Sequence, residues 1–404
     1  MRRKKKKVKL FGFRDKYARR RTALAAGLLL FLLLILKLIF GFSLVDKANS
    51  KISLLLNNEK TELKKEMILD DNGVFYLSKE DIENIFDKTL YYNEAEKELI
   101  TTYNKHIALL KVDEKFMLVN DSNVELKSPM IEKGKTIYIP VSEMGIVYDL
   151  EFEYSAEDKR LIADSISKEK RRALALKKFK LKERPGIFSK KTEKIEHGEY
   201  LVIVEEVGKY YKVRSSNGNL GYVKKNKLSE PEKLRDNWDE EEINANVLKE
   251  ASSITKDYSK VKLDSSKTNV VIPTFFYIDK GSYGPQILDK TNSKTDDFTK
   301  YMKWVKENDI EVWATLSNNI EVSNSLRTYS GRNKIINELY YILVEYEFKG
   351  VNINFEKIDD VNSFNRFVIE LTPRLKELGL RVSVTENKNV DTEKLKDVVD
   401  IIIK

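Results

Sequence analysis

The sequence predicts a multidomain fold: a single N-terminal transmembrane helix, an α+β module with an internal repeat, a small all-β barrel, and an α/β barrel of about six strands at the C-terminus. Three observations predict it. Residues 22–43 form a long apolar run. Two stretches offset by 62 residues repeat one pattern of short strands and helices between 67 and 165. From 243 onward, apolar strands alternate with amphipathic helices.

The length of 404 residues fits two to three domains. A hydrophobic share of 41% and a charged share of 34% fit lysine-rich globular modules. Cysteine is absent, which excludes a disulfide framework and a thiolate metal site. His106 and His197 are far apart in sequence, so no metal centre is expected, and no cofactor. The net charge of +9 has the sign of a nucleic-acid binder. Twelve of the 73 Lys and Arg, and one of the 64 Asp and Glu, precede Thr22, so the remainder carries −2. A basic excess confined to the tail argues against a nucleic-acid partner.

Residues 1–21 read as a basic cytoplasmic tail. The run from Thr22 to Phe42 is broken only by Lys37 and is long enough to span a bilayer. Its basic flank predicts a cytoplasmic N-terminus. The expected localisation is therefore the cell membrane, single-pass, anchored through 22–43 with the C-terminal domains outside. Lys37 can snorkel outward. A cleaved signal peptide is the competing reading; the run is long for one, and no small-x-small site follows it. Residues 44–66 read as a polar stalk with Ile52, Leu54, Leu55 and Leu56 clustered.

In the repeat, Phe75-Tyr76-Leu77 falls on Ile137-Tyr138-Ile139. Tyr92, Lys97, Leu99 and Ile100 fall on Tyr154, Lys159, Leu161 and Ile162. Each copy reads as strand, short helix, strand, charged turn, strand. The stretch from Gly134 to Val141 resembles the N-terminal-like domain of copper amine oxidases, over residues 67–165. The resemblance implies a spacer and no copper, since no ligand set is present.

Residues 167–177 read as a linker or short helix. Between 178 and 228 come short strands separated by Pro185-Gly186, Gly198, Gly208 and Asn217-Gly218, the last a tight hairpin signal. Tyr210-Tyr211-Lys212-Val213 followed by Gly221-Tyr222-Val223 resembles a bacterial SH3-like barrel. That resemblance implies binding of cell-wall peptide or glycan, with Tyr210, Tyr211 and Tyr222 as candidate contacts. The same tyrosines could equally fill the core and rim of a small barrel. Residues 229–242 read as an acidic linker.

The last domain, 243–404, reads as strands at Ile243–Leu248, Val270–Tyr277, Glu311–Leu316, Gly350–Glu356, Arg381–Thr385 and Val398–Ile403. Helical patterns separate most of them. No Gly-rich phosphate loop opens the domain, so a barrel fits better than a nucleotide fold. After Gly350 the alternation is strict: Val351, Ile353 and Phe355 on one face, Asn352, Asn354 and Glu356 on the other. A helix-covered parallel strand is normally apolar on both faces. Three polar groups on one face are costly unless they have a task.

Asn269–Phe276, Val305–Ala314 and above all Gly350–Glu356 resemble glycoside hydrolase family 18, the chitinase-like TIM barrels, in their wall-associated and spore-cortex-lytic branch. The resemblance implies that Glu356 is the general acid of a substrate-assisted hydrolysis. Asn354 takes the place of an aspartate that orients the substrate acetamido group and offsets the oxazolinium charge. Asn352 is usual in the branch, and Lys349 replaces another aspartate. Phe276, Tyr277 and Trp313 are either sugar-stacking aromatics or barrel core. The implied partner is cell-wall glycan or peptidoglycan containing N-acetylglucosamine. The chain stops inside the sixth strand, where the family continues with Met-x-Tyr-Asp and two more units, so the barrel is expected to be truncated. Three roles stay open: a hydrolase, a glycan binder on an impaired hydrolase scaffold, and a wall-spanning adaptor.

Overall fold

The computed structural model describes residues 51–186, 188–237, 242–255, 257–388 and 390–404. The apolar run at 22–43 and its basic flank lie outside the described residues. Among the described residues no helix is long and apolar enough to cross a membrane. The longest, Tyr329–Glu345 and Val361–Glu377, have 17 residues each and carry charged side chains, whereas a bilayer needs about 20 apolar ones. Contrary to expectation, the described residues give no support to the single-pass membrane localisation or to the transmembrane element of the expected fold. The described chain is a mixed α/β fold built on five sheets.

Three of those sheets enclose the first hydrophobic core. The repeat has a spatial counterpart: Phe75–Ser78 and Thr136–Ile139 pair antiparallel, Leu77 opposite Ile139. Each strand runs into a helical turn. Ser78 caps Lys79–Ile85 by accepting from the Asp81 N–H, and Val141–Glu143 leads into Gly145–Tyr148. Each turn is followed by a hairpin, Tyr91–Asn93 with Glu98–Tyr103 and Leu150–Ser155 with Arg160–Ser165. Ser53–Leu56, read from sequence as stalk, is a strand. It pairs parallel with Arg160–Ser165 and buries Leu54 and Leu55.

The second unit is one antiparallel sheet of seven strands. Their order is Lys191–Ile195, Phe179–Lys182, Leu220–Lys224, Tyr210–Arg214, Tyr200–Val207, Lys170–Leu174 and Glu232–Arg235. Phe179, Leu181, Ile195, Leu201, Ile203, Tyr211, Val213 and Val223 form its core. The last two strands in that order, Lys170–Leu174 and Glu232–Arg235, come from stretches read as linkers. They pair antiparallel, and Arg172 lies opposite Glu232, with which it forms an ion pair.

The C-terminal sheet is an open half-barrel of mixed direction, not the purely parallel barrel expected. Ala245–Val247, Thr268–Val271, Glu311–Asn318, Gly350–Asn354, Arg381–Thr385 and Ile401–Ile403 run parallel in that order. The expected strand Val270–Tyr277 is split at Ile272-Pro273, where proline has no N–H to give to the ladder. The chain then resumes as Thr274–Gly281, parallel to Glu311–Asn318, and turns back antiparallel as Gly284–Asp289. Helices Asp296–Glu307, Tyr329–Glu345 and Val361–Glu377 alternate with the parallel strands, and their apolar side chains join one core with Val351, Ile353 and Phe355.

Residues Ile52–Lys404 pack as one unit. Helix Val361–Glu377 is buried along Ser363–Leu375. Phe364 and Phe367 pack on Phe355 of the half-barrel. From the other side, Arg374 pairs with Asp121 at 2.9 Å, and Arg366 donates to the Thr89 carbonyl. Beneath them Glu370, fully buried, accepts from Arg332 at 2.7 Å and Arg366 at 2.6 Å. Between the first and second units, Arg214 forks onto both oxygens of Asp164, at 2.6 and 2.5 Å.

Candidate functional site

The site follows from strand parity. Val351, Ile353 and Phe355 point to the helices, so Asn352 and Asn354 point to the helix-free face of the half-barrel. Directly opposed residues of neighbouring strands share a face, so the register sorts that face into rows.

The deepest row holds Trp313 beside Gly350. A Cβ at Gly350 would sit 2.9 Å from the Trp313 ring and 2.7 Å from the Arg381 carbonyl oxygen; only glycine lets the indole lie there. Trp313 is fully buried and donates its Nε1–H to Glu311 at 2.8 Å. It forms the floor, out of reach of a ligand at the rim.

The next row is Thr315, Asn352 and Ser383. Asn352 is 1% exposed. Its Nδ2 donates to Thr315 and Thr385 at 3.0 Å each, and its Oδ1 accepts from Ser383 at 3.1 Å and Thr385 at 3.2 Å. With both ends of the amide engaged, Asn352 ties three strands together beneath the rim.

The third row is Tyr277, Ser317 and Asn354. Tyr277 and Asn354 are half-buried. Among the described residues the Asn354 amide has no hydrogen-bond partner. Two residues on, Glu356 is exposed just past the strand's C-terminal end, and its carboxylate has no partner among the described residues either. The rim of such a sheet is where barrel active sites form. Phe276, by contrast, points the other way, fully buried against Tyr346 and Phe348. Thus Tyr277, Asn354 and Glu356 come together at one rim, Asn352 and Trp313 lie below them, and Phe276 is on the opposite face.

Two residues not singled out in the sequence complete the rim. Asn318 is buried, and its Oδ1 accepts the Glu356 N–H at 2.9 Å. Its Nδ2 donates to the carbonyls of Lys357 at 2.8 Å and Ile320 at 2.9 Å. One amide thereby fixes the turn that presents Glu356. Asp279, on the same face as Tyr277 and two residues further along, accepts from Asn319 at 2.9 Å. That bond, with one from the Lys280 N–H, holds its carboxyl below the usual aspartate range. Asp279 is therefore an ionised carboxylate on this rim. Its place in the alternation with Tyr277 was the available signal.

Among the described residues no group of three or more His, Asp or Glu side chains is placed to hold a metal. A cleft of about 1180 Å³ lies elsewhere, between the first module and helix Val361–Glu377, lined by Thr89, Tyr91, Tyr103, Asn365 and Arg366 among others. Tyr277, Ser317, Asn354 and Glu356 do not line it. Of the tyrosines in the seven-stranded sheet, Tyr211 is buried in the core, while Tyr210 and Tyr222 are half-buried on the outer face.

Comparison with known proteins adds the following. Residues 55–163 match the family described as the copper amine oxidase N-terminal domain. No curated protein matches the chain. Similar solved structures include a chitinase from Chromobacterium violaceum, with 18% identity, TM-score 0.28, and 33% of this chain against 46% of that one. Another is catalytic domain 2 of the Group II chitinase of Ostrinia furnacalis, with 17% identity, TM-score 0.30, and 40% against 50%. A third is the spore cortex-lytic enzyme of Bacillus cereus, with 15% identity, TM-score 0.30, and 52% against 56%. The chain spans about half the length of these structures.

Proposed function

We propose that the chain is a glycoside hydrolase-like protein whose half-barrel rim takes N-acetylglucosamine-containing glycan of the cell wall. The observation that carries this reading is the row Tyr277–Ser317–Asn354 with the unpartnered, exposed Glu356 carboxylate beside it. It joins the sequence resemblance of Gly350–Glu356 to family 18.

In this reading Glu356 protonates the leaving glycosidic oxygen. The acetamido carbonyl of the sugar attacks its own anomeric carbon, the glycosidic bond breaks, and an oxazolinium ion forms. Water then opens that ion, returning its proton to Glu356. The Asn354 amide accepts the acetamido N–H, and Tyr277 offers its ring to the sugar. Asn352, Thr315 and Ser383 keep the Asn354 strand in place from below. Asn318 holds the Glu356 turn.

Asn354 carries no charge, so it cannot offset the oxazolinium ion as a carboxylate at that position would. This favours a second reading for the same rim, glycan binding with slow or no turnover. Both readings meet one experiment on the full-length chain with chitin and peptidoglycan oligosaccharides. Asn354→Asp is expected to raise cleavage by about 10²-fold or more, the scale of one positioned acid–base group, and Glu356→Gln to abolish it. Fast wild-type cleavage indifferent to Asn354→Asp would refute the account of Asn354. Oligosaccharide binding without cleavage in wild type and Asn354→Asp alike would establish the binding reading, and neither binding nor cleavage would refute both.

A further inference from the structure

The charge of −2 left after the basic tail is removed conceals a segregation. Residues 178–228 alone contain thirteen Lys and Arg and six Glu, a net of +7. The excess is gathered on one face. In the seven-stranded sheet, Phe179, Leu181, Tyr211, Val213 and Val223 point into the core, so their neighbours in sequence point outward. Across five adjacent strands the outward register runs Glu205, Lys212, Tyr222, Lys182, Lys191, one acid at the end of a row otherwise of lysines and a tyrosine. Beside this row stand two more opposed pairs, Tyr210 with Lys224 and Lys180 with Lys194.

Lys182 opposite Lys191 and Lys180 opposite Lys194 place like charges about 5 Å apart at their Cβ atoms, an arrangement that destabilises a sheet. Lys194 is relieved by Glu196, and Lys182 donates to the Gly186 carbonyl. Among the described residues Lys180, Lys191, Lys212 and Lys224 have no ion-pair partner. The crowding is felt nearby. Burial, and then the fields of Lys177, Lys182, Lys224 and Lys191, hold Lys227 below the usual lysine range, with no acid among the causes.

We propose that this face binds an anionic glycan, its lysines on the charged groups and Tyr222 and Tyr210 against the sugar rings. Charge complementarity sets the sign of the partner. Its ring-bearing character follows from the half-buried Tyr222 standing between Lys212 and Lys182 in the row. Two arginines on the outward face of this sheet are already engaged: Arg214 has its fork taken by Asp164, and Arg172, in the same row through Val202, pairs with Glu232. The remaining cations are point charges a strand spacing apart, suited to single anionic groups repeated along a stiff chain. The choice of an N-acetylglucosamine backbone rests on the wall-glycan reading above; the charge argument does not.

The test uses the full-length chain carrying Glu356→Gln, so that hydrolysis and this site are read separately and the basic tail is constant. The probes are chitin hexasaccharide, its carboxymethylated and phosphorylated forms, and polyglutamate, titrated calorimetrically at low and high salt. At least one charged hexasaccharide is expected to bind tenfold or more tighter than the neutral one, the stronger arm naming the anion, and to weaken with salt. Lys182→Gln/Lys191→Gln/Lys224→Gln is expected to remove that gain while raising Tm, because it relieves repulsion. The charge-matched Lys300→Gln/Lys303→Gln/Lys306→Gln is expected to keep it. Tyr222→Leu is expected to weaken the charged hexasaccharide several-fold. Equal binding of charged and neutral hexasaccharides, equal effects of the two triple variants, or polyglutamate binding as tightly as the charged sugar would each overturn the proposal.

Discussion

Asn318 commits its whole amide to the turn that carries Glu356. Replacing it with leucine would strand the Glu356 N–H and the carbonyls of Ile320 and Lys357 in a partly buried place. Each such orphan costs about 1–3 kcal/mol. Asn318→Leu is therefore expected to lower stability by about that amount. It should also speed hydrogen exchange of the Glu356 amide more than the exchange of amides in the neighbouring strands; unchanged protection there would refute the positioning role. Asn318 also marks the limit of what a sequence discloses. The polar face of Asn352, Asn354 and Glu356 was legible because a period of two survives without any partner strand. Asn318 lies on the opposite parity, next to Leu316, and acts on backbone groups up to 39 residues away; nothing local marks it. The aromatics divide similarly. Composition could not say that Trp313 needs the bare Gly350 beside it to lie flat on the floor, or that Phe276 faces the helices.

Helix Val361–Glu377 was legible at its ends. Asp360 accepts from the Asn362 and Ser363 N–H groups at its start, and Gly379 takes the positive φ of 73° that ends it. Its middle was not. The buried Glu370, held between Arg332 and Arg366, reads in sequence as one more surface charge. Because both arginines would be left buried without it, Glu370→Ala is expected to destabilise the chain by about 3–5 kcal/mol, measured as a fall in urea midpoint. A change below about 1 kcal/mol would mean that the arginines find water. The Gly284–Asp289 strand escaped for a different reason. Gly284 and Pro285 signal a break, and the segment pairs only with the strand it has just left. Ser53–Leu56 escaped because its parallel partner lies more than 100 residues away.

At the scale of the whole molecule, the units were legible one by one and their union was not, since each contact joins residues from separate patterns. The Arg214–Asp164 fork is the case with a pH signature. Burial pushes the Asp164 carboxyl up, but Arg214 and Lys170 outweigh it and hold it below the usual aspartate range. A depressed native value means that the stabilisation is complete above the unfolded value of about 4 and is lost as pH falls through the native one. The urea midpoint of wild type is therefore expected to fall below about pH 4 more steeply than that of Asp164→Asn; parallel curves would show that the fork contributes nothing. The helix enclosed on both sides carries a further implication, about the order of manufacture. Residues 55–163 leave the ribosome roughly 200 residues before Val361, and domains generally fold in that order. The half-barrel's principal helix thus emerges to find one of its two walls already built. The earliest module, read from sequence as a spacer, serves the nascent chain as a mould for the last.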